Sequence, residues 1–251
     1  MEWLLALVAA GGAVLGARYA RDRRRARRAD EEELAAVRGL VVEDVTMLGE
    51  ELQRLAASVW ALDEEGRLDH QRALDAYESA QRSVPRIRRA DEISTVTDTL
   101  STGRYAVACV RAQLENRPVP SLRVPCFFNP QHGPSVVDVL YTAPGRGTRT
   151  VPACARDAAR MRNGEPPDVR RVRIGGRSVP YWEAGAAFVP YGQGYFGAGA
   201  GVLLGWVLDP PVAGHSGSQG RYEAGGHDFG GFGDGAAWTS AATSSPRRPP
   251  R

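Results

Sequence analysis

The chain has 251 residues, 43% hydrophobic and 24% charged, values that exclude wholesale disorder and a polytopic membrane protein. All 32 basic residues are arginine, which excludes a mechanism built on a catalytic or Schiff-base lysine. The net charge of +3 is unevenly placed: residues 1–28 carry net +5, from Arg18, Arg21, Arg23, Arg24, Arg25, Arg27 and Arg28 against Glu2 and Asp22. The rest of the chain is at −2, so no basic face for nucleic acid is expected.

In chain order, the first element is a run without charge from Trp3 to Ala17. A helix over 3–20 would span ~27 Å, close to the ~30 Å hydrocarbon core. Arg18 could snorkel to one interface and Trp3 could anchor at the other. We therefore expect residues 1–20 to be a transmembrane anchor followed by a basic-then-acidic juxtamembrane segment, 21–33. The rival is a cleaved signal peptide, disfavoured because the apolar run lacks a basic n-region and is followed by arginines. The positive-inside rule places the N-terminus outside and the body in the cytoplasm, a single-pass protein. Gly12 and Gly16 form a GxxxG pair that would permit close helix approach and a homodimer.

Asp30–Glu33 supplies an acidic start for a new helix. Beyond it Leu34, Val41, Val45, Leu48, Leu52, Leu55, Val59 and Leu62 follow steps of four and three, broken only at Arg38, beside which Val37 is apolar; this is a heptad stripe ended by Gly66. A second helix is expected from Leu68 to Val84, broken at Pro85, and a third from Asp91 to Asn116, closed by Pro118 and Pro120. These make residues 34–117 a helical bundle, with a coiled-coil dimer as the alternative use of the stripe. Cys109 reads as a small buried residue.

Residues 118–183 read as a small α+β module. A Pro/Gly-rich turn, Pro125 to Ser135, precedes a strand from Val136 to Tyr141, a turn at Pro144–Gly147, a return strand from Thr148 to Pro152 and a short helix from Cys154 to Arg162, stopped by Asn163 and Gly164. Two candidate ligands in the turn, Cys126 and His132, and two in the first helical turn, Cys154 and Asp157, give the order of a treble-clef zinc module. Asn129 and Asp157 stand where the strongest form of that signal has cysteine. Three readings stay open: structural Zn2+, a metal-free polar cluster, and a Cys126–Cys154 disulfide, the last disfavoured by an odd cysteine total and a cytoplasmic placement. No catalytic residue is identified. A metal- or cysteine-dependent hydrolase centred on Cys126, His132 and Cys154 is the alternative to a non-enzymatic interaction module.

The run Cys126-Phe127-Phe128-Asn129-Pro130-Gln131-His132-Gly133-Pro134-Ser135, the later Val151 to Arg160 and the closing Gly176 to Trp182 resemble an uncharacterised family of membrane-anchored actinobacterial proteins. The resemblance implies an inner-membrane location and, by itself, no activity.

From Ala184 to Leu208 the chain is again without charge, but its apolar part from Phe196 to Leu208 is too short to span. The expectation for 184–211 is a segment on the membrane or packed on the bundle, with a second span as the alternative. Residues 212–251, rich in Gly, Ser and Pro, read as a disordered tail, and His215 and His227 are too isolated to be ligands. The fold class expected is thus mainly α with a small α+β module. The function expected is a membrane-anchored scaffold that binds a protein partner and no nucleic acid.

Overall fold

A computed structural model of the chain describes residues 2–145, 147–174 and 176–197, with side chains from residue 16 onward. It is mainly helical, at 64%, with small antiparallel sheet. Helix α1 runs from Glu2 to Ala56, α2 from Glu64 to Ser83 and α3 from Glu92 to Leu114. Strands β1 (Val137–Thr142) and β2 (Thr148–Ala153) form one hairpin, helix α4 follows at Ala155–Arg162, and β3 (Arg171–Ile174) with β4 (Arg177–Pro180) forms a second. Helix α5 covers Val189–Phe196.

Helix α1 corrects one expectation. Asp30–Glu33 is not a helix start, because the helix runs through it for 55 residues in all. Between Gly16 and Gly39 there is neither proline nor glycine, and most residues are good helix formers such as Arg, Ala and Glu. A change in the sign of charge does not interrupt the backbone ladder. Gly66 likewise ends nothing. It sits in the first turn of α2, where its N–H is capped by the Asp63 carboxylate at 2.9 Å. Among the described residues no helix is long and apolar enough to cross a membrane; the expected anchor falls on side chains outside them.

The heptad stripe is buried inside the chain. Val41, Val45, Leu48, Leu52 and Leu55 of α1 pack with Ile93, Val96, Leu100, Val107 and Val110 of α3 in one core. Helix α2 meets α3 through small residues: Ala73, Ala76 and Ala80 are buried, and a Cβ on Gly103 would lie 2.9 Å from that of Ala76. Val84-Pro85-Arg86 is a single 3-10 turn after α2, as the proline requires. Cys109 is buried on α3, as expected.

The first hairpin and α4 match the sequence reading to within a residue or two, whereas the second hairpin was not anticipated. Its strands pair Arg171 with Pro180 and Val172 with Val179. Its exit places Tyr181 and Trp182 in an aromatic cluster with Phe127 and Phe128; the Phe127 and Trp182 rings stack at 4.7 Å. Of the segment 184–211, α5 packs on α3 and thus on the bundle; residues 198–211, like the expected tail at 212–251, lie outside the described residues.

The close docking of α5 is testable. A Cβ on Gly194 would fall 2.1 Å from the Ser94 carbonyl oxygen and 1.9 Å from the Thr97 hydroxyl. Gly194→Ala should therefore destabilise the protein by ~1–3 kcal/mol through overpacking, read as a lowered urea midpoint. An unchanged midpoint would mean that α5 does not rest on α3.

Candidate metal centre

The turn before β1 is shaped by its own sequence. Asn129 accepts a hydrogen bond from the Gln131 N–H at 3.0 Å and caps the 3-10 turn Pro130–His132. Gly133 follows at φ 81, a left-handed conformation that an L side chain would strain. The Cys126 N–H then donates to the Gly133 carbonyl at 3.0 Å and closes the loop. The closure sets Cys126 and His132 side by side. On the other arm Cys154 is the N-cap of α4, with its sulfur accepting from the Asp157 N–H at 3.4 Å. Asp157 is three residues on, over the same turn.

All four expected ligands converge. Their ligand atoms lie within 4.8 Å of one another, with Cys126, Cys154 and Asp157 buried and His132 partly buried. Asp157 Oδ2 is 3.2 Å from Cys126 Sγ, 3.4 Å from Cys154 Sγ and 2.9 Å from His132 Nδ1. Cys154 Sγ is 3.6 Å from His132 Nδ1. Tetrahedral zinc with bonds of ~2.0–2.3 Å separates its ligand atoms by ~3.3–3.8 Å; these four separations lie near that range, and the widest spacing in the cluster, up to 4.8 Å, would close by about 1 Å on binding. No disulfide is formed: Cys126 and Cys154 are free thiols.

The protonation of the cluster follows from its contacts. Burial pushes the Cys126 thiol up. The Cys154 thiol is brought down to about 5 by the hydrogen bond from Cys126, helped by His132 and the Asp157 N–H, against burial. For His132 burial acts downward, but hydrogen bonds to Asp157 and Cys154 prevail and raise it to about 9. Burial would raise Asp157, yet the His132 ring, the Asp168 N–H and Cys126 hold it at about 2. The pocket thus favours the charged forms of Cys154, Asp157 and His132 beside a neutral Cys126. Its two exchangeable protons, on Cys126 and His132, are the ones a divalent cation would displace.

An outer layer holds the ligands in place. Asp157 Oδ1 accepts from the Asp168 N–H at 2.9 Å. His132 Nε2 is 3.3 Å from Asp168 Oδ2 and 2.6 Å from Arg156 Nη2, and Arg156 also reaches Asp168 at 2.6 Å. A carboxylate behind a histidine is the usual device for fixing the ring of a metal ligand.

A second polar cluster has no counterpart in the sequence reading. Asp44 of α1 is fully buried. It accepts from Tyr191 Oη at 2.8 Å, Tyr195 Oη at 2.7 Å, Arg170 Nη2 at 3.2 Å and the Gln131 amide. Arg104 of α3, also buried, reaches the Asp44 carbonyl at 3.2 Å, the Gln131 carbonyl at 3.0 Å and Glu51 at 3.3 Å. Burial, and then the charge of Asp44, pushes both tyrosines well above their ordinary range. One carboxylate therefore joins α1, the ligand-bearing turn, the second hairpin and α5. Its signal was a charge on an apolar face: Val37, Val41, Asp44, Leu48, Glu51 and Leu55 follow the same three-and-four spacing.

Comparison of the chain with protein-family models, with curated proteins and with solved structures finds no match in any of the three.

Proposed function

We propose that this chain is a membrane-anchored, non-enzymatic scaffold whose small module, packed beside a helical bundle, is held together by a structural zinc ion. The observation that carries the metal reading is the closed set of four donors, Cys126, His132, Cys154 and Asp157, gathered within 4.8 Å from a turn and a helix start that flank a hairpin. That order of loop, hairpin and helix is treble-clef-like. Structural zinc takes four protein donors, whereas catalytic zinc keeps a position open for water or substrate. All four donors here come from the protein.

The anchor reading rests on the uncharged run 3–17 and the arginines after it, which favour a cytoplasmic body; the bacterial inner membrane is what the family resemblance implies. Because α1 continues unbroken from Glu2 to Ala56, the ~14 residues between Ala20 and Leu34 act as a stiff spacer of ~21 Å. A protein partner finds an anchor point in Trp60, 85% exposed between α1 and α2, since aromatic side chains dominate interface energetics. The Gly12/Gly16 pair keeps a homodimer as the simplest self-association.

The hydrolase alternative draws support from one feature, the Cys154 sulfur 3.6 Å from His132 Nδ1, with the thiol lowered and the imidazole raised by their contacts. Against it, both sulfurs are buried, and the nearby acid Asp138 is tied to Arg123 at 2.6 Å. Asp157→Cys separates the two. A structural site gains a sulfur ligand and should release zinc to a chelator more slowly than the wild type, about tenfold or more, with folding retained. A variant that folds but loses zinc, or a wild type with hydrolytic turnover that Asp157→Cys abolishes, would overturn the scaffold reading.

A further inference from the structure

We propose that the arginine collar of α1, from Arg18 to Arg28, binds the phosphate headgroups of anionic lipids where the helix leaves the bilayer; this rests on residues 3–17 being the membrane anchor. The collar is built for contact with something outside the chain. Residues 16–32 are exposed on a continuous helix, and no arginine before Arg38 has a hydrogen bond or ion pair among the described residues.

The distribution of charge identifies the occupant. Between Arg18 and Glu33 the uncharged residues are Tyr19, Ala20, Ala26 and Ala29. The segment has no apolar stripe with which to lie flat in an interface. At ~100° per residue the seven arginines point around most of the helix circumference, as suits a ring of headgroups surrounding an emerging helix. Arg18 to Arg25 occupy ~10 Å of axis, about one Debye length, within which an anionic surface acts strongly on each basic residue. The acidic run Asp30–Glu33 begins ~18 Å beyond Arg18, where that field has faded. A nucleic-acid duplex offers no such gradient and would meet the acidic run directly, so the order of charges favours the lipid surface. Guanidinium forks grip phosphate in a bidentate manner, and the collar holds arginine alone.

The test is co-flotation of the full chain with vesicles of phosphatidylcholine alone and of phosphatidylcholine with 30% phosphatidylglycerol, at low and high salt. The wild type should partition to the anionic vesicles at least about tenfold more strongly at low salt. Arg21→Gln/Arg24→Gln/Arg25→Gln/Arg28→Gln should reduce that preference to near unity, and the corresponding four-Lys variant should keep most of it. Equal partitioning of the wild type to both vesicles, a preference that survives the Gln substitutions, or stronger binding to a duplex oligonucleotide at matched phosphate would overturn the proposal. Failure of the anchor reads differently: no flotation with neutral vesicles, while the anionic preference and its loss in the Gln variant persist.

Discussion

Replacing Asp44 with alanine should cost about 3–5 kcal/mol, the usual penalty for removing one partner of a buried charge network. The substitution strips the shared acceptor from Tyr191, Tyr195, Gln131 and Arg170 at once. The Arg104 bond to the Asp44 backbone carbonyl is independent of the side chain and should survive. Against a total of ~5–15 kcal/mol for a typical domain, such a loss leaves the protein marginal or unfolded at 37 °C. Asp44→Asn keeps one acceptor oxygen and should fall between alanine and wild type. Thermal and urea unfolding of the three proteins measure the order. An alanine variant within about 1 kcal/mol of wild type would show that the cluster is not a structural hub.

Withdrawal of zinc should unfold the module while leaving much of the helical signal. Saturating metal at a thousandfold excess over its dissociation constant contributes about 4 kcal/mol to the state that binds it, and a module of ~60 residues has little core to compensate. The proposed zinc would join the turn at Cys126 and His132 to the start of α4, and the Phe127 ring beside Cys126 stacks on Trp182. Addition of a chelator should therefore abolish the near-ultraviolet signature of that aromatic cluster. Far-ultraviolet helicity, which comes mostly from α1, α2 and α3, should fall far less. Equal loss of both signals would mean that bundle and module fold as one unit around the metal; loss of neither would mean the metal is dispensable.

Much of this arrangement was legible in the sequence because it is local. The stripe from Leu34 to Leu62 has a 3.5-residue period, the proline at 85 interrupts a helix, and Cys154 and Asp157 share one helical turn. Each depends on neighbours within seven residues, so spacing suffices to find it. The four candidate ligands were found for the same reason, as two local pairs either side of a hairpin signal. The Asp44 cluster was not found because its partners are remote: Arg104, Gln131, Arg170 and the α5 pair Tyr191 and Tyr195 come from four separate segments, and the one local mark was the Asp44 charge itself on an apolar face. The false start at Asp30 has a different origin, since a helix boundary needs a break in backbone propensity or a cap. A reversal of charge supplies neither.

The measurement that bears most directly on the proposed zinc staple is the metal content of the full chain, purified in detergent without chelator, beside a Cys126→Ala/Cys154→Ala variant. About one zinc per chain in the wild type, lost from the variant together with cooperative unfolding of the module, is the predicted result. A folded wild-type protein that carries no metal, and whose unfolding is unchanged by added zinc, would contradict it.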